Sequence, residues 1–471
     1  MEAHLFLGSK KVIRQAYVDR VSPYDGEIVS RSAVCSIEDA LNALEIAKHA
    51  SRHAKKVPLS QRCSWLLDVA SKLKQEKEVF AKILSQEVGK PISFARVEVD
   101  RCIETITLSA ETMRTMHGET INTDAMDSGR QTHAYWQREP AGVIVAITPF
   151  NFPLNLVAHK LAPALVSGNS VVLKPTPEAP LCAYKLAELF IESPYATKDA
   201  LSLVFGDADI GNALVSSTIP RVISFTGSVG VGHIITKTAG IKKVSLELGG
   251  NAATYIDASA DLAYAAKRCA LGAFVNSGQV CISLQRIYVS DEIYDEFASS
   301  LAEETKKLIV GSPYDEATFL GPLINDEAAE RAMKWVESAI SEGARALTPP
   351  RKEGKLFYPC VMADVTESMQ IVCEEVFAPI VSLIKTASLQ EAIDKMNNSP
   401  YGLQFSIFTN DLKNAQTAIN ECEAGGVIIN DMPTLRFDIQ PYGGVKLSGI
   451  GREGPRFAIE EMTEIKSVII T

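Results

Sequence analysis

The sequence has no cysteine pair at CxxC spacing, no apolar run approaching the roughly 18 residues of a membrane-spanning helix, and no excess of basic residues. Each absence excludes a class. Nine cysteines scattered through 471 residues, odd in number, offer neither a zinc ribbon nor a disulfide framework, and they suit a reducing compartment. Lys and Arg number 47 against 57 Asp and Glu, a net charge of −10, so counterion release from nucleic acid has little to work with. The opening MEAHLFLGSKK lacks the basic leader and long apolar core of a signal peptide, and a cytoplasmic location without membrane attachment is expected. Low-complexity tracts are missing as well. What remains is an ordinary globular composition, 46% hydrophobic and 22% charged, in a chain long enough for roughly three domains.

Between residues 36 and 120, apolar residues recur at intervals of three and four, which predicts helices over Ile37–Ala50, Cys63–Leu84 and Val97–Met113. His49 and His53 stand four apart on the first of these. With no third ligand in view they read as a solvated helix face, and no metal site is expected. From Gly142 to Asp257 the pattern changes to short β-rich runs: Val143–Ile147, Ser170–Leu173, Leu201–Val204, Arg221–Phe225, Lys243–Leu246 and Ala252–Tyr255. Helical stretches such as Ala183–Phe190 and Val229–Thr238 separate them, and this alternation predicts a parallel, doubly wound α/β sheet. A second α/β block runs from Asp261 to about Asn430, with strands at Ile287–Val289, Ile380–Ile384 and Val427–Ile429. Two β-prone pieces, Thr132–Gln137 and Ile465–Thr471, belong to neither block; they either pair as an arm reaching another subunit or fray.

Five segments carry candidate chemistry. Cys281 ends Asn276-Ser-Gly-Gln-Val-Cys281, a polar turn where a thiol could face a cleft, although taken alone it reads more readily as a packed cysteine. Glu247 opens Glu247-Leu-Gly-Gly250 at a strand end, and a carboxylate flanked by leucines is desolvated and hence more basic. Asn151 lies between Pro149 and Pro153, whose restricted angles would hold its amide as an oxyanion donor must be held; the alternative is a turn asparagine. Lys174 closes an apolar strand, placed for a nucleotide hydroxyl or phosphate, or else simply a surface lysine. Phe225-Thr-Gly-Ser-Val-Gly-Val-Gly232 joins a strand to a helix and offers free N–H groups to a pyrophosphate, but its glycine spacing is not GxGxxG.

In this order, and together with Glu375-Val-Phe-Ala-Pro379 and Pro441-Tyr-Gly-Gly-Val-Lys-Leu-Ser-Gly449, these segments resemble the aldehyde dehydrogenase superfamily over nearly the whole chain. The resemblance implies an α/β fold: a Rossmann-like cofactor domain (1–128 and 143–248), an α/β catalytic domain (249–440), and a small β arm (129–142 and 441–471) for a homodimer or homotetramer. It implies Cys281 as nucleophile, Glu247 as general base and Asn151 as oxyanion donor. NAD or NADP would be held by Lys174 and Glu375 at the two riboses, Ser228 at the pyrophosphate and Phe377 beside the nicotinamide. Gly227 and Gly232 would keep the backbone close, with Thr148, Pro149, Phe150, Leu248 and Glu178 completing the cofactor contacts. The implied reaction oxidises an aldehyde to a carboxylic acid through a thiohemiacetal and a thioester. Glu247 weighs against the coenzyme A-acylating branch, which commonly lacks it, and the intact trio weighs against a non-catalytic structural oligomer.

Two departures bear on specificity. Strongly NAD-selective relatives place a glutamate three residues after the lysine; here that position is Pro177, with Glu178 one residue later, so weak discrimination between NAD and NADP is expected. Arg101 and Arg436 match positions beside the substrate entrance in branches acting on lactaldehyde, glyceraldehyde 3-phosphate or succinate semialdehyde. A short polar aldehyde, anionic or 2-hydroxylated, is therefore expected. The competing expectation is structural pairing, of Arg101 with Glu98 or Glu104 and of Arg436 with Asp438.

Overall fold

A strand buried on both faces must be apolar throughout, and Val143–Ile147 meets that demand with no polar residue. Successive side chains point to opposite sides, so Val143, Val145 and Ile147 join one hydrophobic cluster while Ile144 and Ala146 join another. Val172 and Ile223 likewise face the first cluster, and Val171, Leu173 and Val222 the second. In the computed structural model, which describes Met1–Thr471, these strands form the centre of an eight-stranded sheet. Its order is Gly449–Ile450, Lys243–Glu247, Val222–Thr226, Val143–Ile147, Ser170–Lys174, Leu201–Leu203, Leu5–Leu7, Lys10–Val12. The middle five strands are parallel; the remaining three add antiparallel at the edges.

Helix Ile37–Ala54 covers one face through Ala43 and Leu44. It begins with a capping box in which Ser36 Oγ accepts from Asp39 N and Asp39 returns a carboxylate to Ser36 N. Helices Leu59–Gln75, Lys77–Val88, Ile92–Thr115, Asn155–Val166 and Pro180–Ile191 cover the other face. The single helix expected over Cys63–Leu84 is two, because Glu76 leaves helical geometry (φ −98°, ψ 14°) and turns the chain between them.

The strand Ala252–Ile256, sixth in the predicted alternating run, leaves the first sheet and joins the second, correcting that expectation. It pairs in parallel with Leu284–Ser290 and Gln404–Phe408 inside a seven-stranded sheet that also holds Ile380–Thr386, Cys360–Ala363 and Gly426–Ile429. The crossing falls at Gly249 and Gly250. A Cβ on Gly250 would stand 2.3 Å from the Cys281 carbonyl oxygen, so only glycine lets the two segments approach.

The two orphan β-prone pieces do pair: Thr463–Ile470 runs antiparallel to His133–Pro140, which also takes Glu119–Ile121 on its other side. Within the segment expected to be arm, Gly449–Ile450 instead extends the first sheet, and Ile459 and Met462 pack in its core. All nine cysteines are free thiols, and no helix is long and apolar enough to cross a membrane. His49 and His53 are both exposed.

Candidate active site

Parallel strands deliver their carboxyl ends to one edge of the sheet, and ligands bind outside that edge. The ladder pairs Ile147 with Lys174, Phe225 with Ile147, and Thr226 with Glu247, so the segments carrying Asn151, Lys174, Ser228 and Glu247 emerge side by side. The Cys281 loop meets them from the second sheet. It follows helix Leu262–Phe274 through a turn in which Asn276, Ser277 and Gly278 all adopt left-handed angles (φ 52°, 55° and 71°). Non-glycine residues there cost about 1–3 kcal/mol each, so the turn must be held from outside. Ser277 Oγ donates to Gly321 O at 2.8 Å, and Asn276 Nδ2 donates to Asn151 O at 3.3 Å. A Cβ on Gly278 would lie 2.2 Å from the Ala378 carbonyl oxygen.

These segments enclose a cavity of about 550 Å³, whose wall includes Asn151, Glu247 and Cys281. Of the expected cofactor residues, Pro149, Phe150, Gly227, Ser228, Leu248, Glu375 and Phe377 reach this wall; Thr148, Lys174, Glu178 and Gly232 stand outside it. Arg101 and Arg436 are both on the wall.

Asn151 is buried and anchored from three directions. Lys90 Nζ donates to its carbonyl at 2.7 Å, its Oδ1 accepts from Phe152 N at 3.1 Å, and its Nδ2 donates to Gln279 O at 3.1 Å, leaving one amide N–H free of a partner. Glu247 is 3% exposed and neither carboxyl oxygen has a hydrogen-bond partner. Burial raises its pKa well above the carboxylate range and nearby Glu453 adds to the rise, against Arg436, Lys160 and Arg452. Burial pushes the Cys281 thiol up to about 12, against a hydrogen bond with Tyr442. Burial thus disfavours the charged form of both groups.

The cofactor side fits a dinucleotide. Ser228 caps helix Val229–Ala239 by accepting from Val231 N, so the helix start presents N–H groups at the cavity. Thr226 Oγ1, on the cavity wall, is buried with no partner, and a ligand hydroxyl or phosphate can supply one. A Cβ on Gly232 would sit 2.6 Å from Leu248, so the glycine lets this helix lie against the Glu247 strand end. Glu375, pushed up to about 7 by burial, accepts from Gly250 N at 3.1 Å, and the glycine beside it leaves room for the carboxyl. Phe377 (φ 50°) packs edge-on to Phe150 with centroids 6.0 Å apart. Burial lowers the Lys174 pKa, against Asp207 and Glu178. The Glu178 carboxylate is occupied by a hydrogen bond from Thr176 Oγ1.

Arg101 pairs with neither Glu98 nor Glu104. Its Nε and Nη2 grip Asp438 at 2.9 and 2.7 Å, while Glu98 takes Lys90 and accepts from the N–H groups of Leu154 and Asn155. Burial resists ionisation of Asp438, but hydrogen bonds from His159 and Arg101 hold its carboxyl far below the usual range. Arg436 pairs with Glu453 rather than tightly with Asp438: Nη2 to Glu453 Oε2 is 3.1 Å, whereas Nε to Asp438 Oδ1 is 3.7 Å. Sequence reasoning missed Lys90, His159, Lys160, Tyr442 and Glu453. Tyr442 sits inside a quoted motif, and nothing in its spacing distinguishes a functional ring from a packed one.

A parallel sheet whose carboxyl edge opens on a cavity shared with a second α/β sheet is the arrangement in which doubly wound proteins bind nucleotides. The aldehyde dehydrogenase family matches residues 11–468, and the chain belongs to that family. The 3-sulfolactaldehyde dehydrogenase of Priestia aryabhattai is 43% identical over 451 residues, 96% of this chain and 94% of that one. The lactaldehyde dehydrogenase of Methanococcus vannielii is 39% identical over 470 residues, 99% of each chain. The crystal structure of NADP-dependent glyceraldehyde-3-phosphate dehydrogenase from Bacillus halodurans C-125, complexed with NADP, matches with a TM-score of 0.97 at 33% identity, over 100% of this chain and 99% of that one.

Proposed function

We propose that this enzyme oxidises short anionic or 2-hydroxylated aldehydes to carboxylic acids with NAD or NADP, using Cys281 as nucleophile. Arg436 carries the substrate part. Its side chain is nine-tenths buried on the wall that also holds Cys281 and Glu247, and its hydrogen bonds, to His159 and Glu453, both use Nη2. A buried guanidinium with a spare donor suits a carboxylate, phosphate, sulfonate or hydroxyl, whereas an alkyl or phenyl tail would leave it unsatisfied. The relatives named for sulfolactaldehyde and lactaldehyde support the same class. Arg101, with two donors committed to Asp438, contributes less.

The sulfur of Cys281 adds to the aldehyde carbonyl: the S–H proton passes to cavity water, the C–S bond forms, and the carbonyl π pair moves onto oxygen. The free amide N–H of Asn151 and the Cys281 backbone N–H stabilise that oxygen, at about 3–4 kcal/mol per donor. A bound nicotinamide dinucleotide supplies the two-electron acceptor that turns the adduct into a thioester. Glu247, once deprotonated, takes a proton from water; the oxygen adds to the thioester carbonyl, the C–S bond breaks, and acid and thiol are released. A desolvated carboxylate is the stronger base for that step.

The occupied Glu178 carboxylate supports use of both cofactors. Exposed Ile465, Ile469 and Ile470 on the edge strand Thr463–Ile470 support a homodimer or homotetramer through the arm. Nine unpaired thiols support a cytoplasmic location. The test of substrate class compares kcat/KM for succinate semialdehyde, glyceraldehyde 3-phosphate, lactaldehyde, hexanal and benzaldehyde in wild type, Arg101→Ala and Arg436→Ala. The polar aldehydes should lead, and Arg436→Ala should erase the lead. A win for hexanal or benzaldehyde with neither variant changing the ranking removes this reading.

A further inference from the structure

Tyr442 is 3% exposed, and its hydroxyl lies 3.0 Å from Cys281 Sγ, within hydrogen-bond range of a sulfur. Its ring is covered on one face by Arg436, with Cζ 3.7 Å from the centroid. Both residues are on the cavity wall. A cation against the ring draws electron density from the phenol and strengthens its O–H as a donor. Besides Tyr442, the charged groups acting most strongly on Cys281 are Glu375, Arg436 and Glu247. Arg436 is already engaged with Glu453, and the two carboxyl groups oppose a negative sulfur. Tyr442 is therefore the side chain placed to donate a hydrogen bond to it.

We propose that Tyr442 is a catalytic residue whose hydroxyl donates to the sulfur of Cys281 whenever that sulfur carries negative charge. The inference rests on Cys281 being the nucleophile. Sulfur is anionic at two points of the cycle, just before it adds to the aldehyde and again as it leaves the thioester. Between them it is a neutral thioether or thioester sulfur and a poor acceptor. A donor fixed at 3.0 Å thus favours the transition states on either side over the covalent state between them, which is the condition for a contact to accelerate a reaction. The phenol keeps its own proton throughout, since burial raises the Tyr442 pKa well above its ordinary value. The same contact offsets part of the penalty that burial imposes on the thiolate.

The experiment is the pH profile of Cys281 alkylation by iodoacetamide, located by peptide mass spectrometry, in wild type, Tyr442→Phe and Tyr442→Met, alongside steady-state kinetics. Loss of one hydrogen bond to a charged group corresponds to about a tenfold effect or more. Both variants should therefore alkylate about tenfold more slowly at pH 8, where the rate follows the small thiolate fraction. Their kcat should fall by a similar factor with KM for the cofactor unchanged. A merely structural tyrosine would not move the alkylation rate, and unchanged rates across the pH profile in the two variants overturn the proposal. Cys281→Ser run in parallel separates the two readings: if it remains active, the nucleophile assignment fails, whereas an inactive Cys281→Ser with unshifted Tyr442 variants rejects the tyrosine alone.

Discussion

The two ends of the cavity obey different rules. At the cofactor end, Asn151, Lys174, Ser228 and Glu247 follow parallel strands, and the ladder that sets Thr226 opposite Glu247 and Ile147 opposite Lys174 aligns them. At the substrate end, Arg101, His159, Arg436, Asp438 and Glu453 are held by mutual charge, with direct pairs such as Arg101–Asp438 reaching across 337 residues. Backbone register thus places the first group, and compensation of buried charge places the second. A substitution in the first should cost chemistry and leave the fold alone, while one in the second should cost stability as well.

The largest effect tests the first half of that contrast. Cys281→Ala should lower aldehyde oxidation more than about a thousandfold while leaving thermal unfolding and cofactor binding nearly unchanged, since the thiol makes a single hydrogen bond, with Tyr442. Nicotinamide absorbance and a melting curve read both halves. Glu247→Gln should come next, with one turnover of reduced cofactor and then a stall, and a steady-state loss of roughly a hundred- to ten-thousandfold. Because burial raises the Glu247 pKa, its basic form fills only as pH rises, so wild-type kcat should climb from neutral into alkaline pH. The residual rate of the glutamine variant should lack that climb; an identical pH profile in both would take Glu247 out of the base role.

Asp438→Ala sharpens the other half. It leaves Arg101 and His159 without their common carboxylate and should destabilise the enzyme by about 3 kcal/mol, the low end for a buried pair because Arg101 is partly exposed. The sign of the pH dependence follows from the depressed Asp438 pKa: its stabilisation is present above the ordinary carboxylate range and disappears as pH falls through the depressed folded value. Denaturant midpoints of wild type and variant should therefore converge in acid. A gap that stays constant to low pH would mean that packing, not charge, holds this corner.

The same contrast explains what was legible in the sequence. Strands such as Val143–Ile147 could be read because burial on both faces leaves an uninterrupted apolar run, and the chemistry-bearing residues follow those strands directly. Asp438 as the partner of Arg101 could not be read, because helical spacing pointed to Glu98, and only the fold shows Glu98 turned to Lys90 and the start of helix Asn155–Val166. Strand periodicity alone set Ala252–Ile256 in the first run, whereas the family's domain bounds (249–440) already put it in the second, because a buried strand looks alike in either sheet and the glycine crossing before it sets the destination. Tyr442 was hidden because its role depends on a hydroxyl 161 residues from the sulfur it meets.

The smallest expected effect lies at the cofactor end, where register alone leaves specificity weak. To select NAD, a carboxylate must meet the adenine ribose hydroxyls and repel a 2′-phosphate. Pro177 has no such group, and Glu178 has its carboxylate taken by Thr176 Oγ1 while Arg20 lies near enough to feel its charge. The kcat/KM values for NAD and NADP should then differ by less than about tenfold, which is 1.4 kcal/mol of discrimination. Pro177→Glu should shift the ratio toward NAD by about tenfold, since a largely water-screened carboxylate against a phosphate is worth about that much. Thr176→Val, which frees Glu178, should produce a smaller shift in the same direction. A wild-type preference for NAD of a thousandfold would mean that another acid already meets the ribose, and the cofactor end would then be as dependent on distant charge as the substrate end.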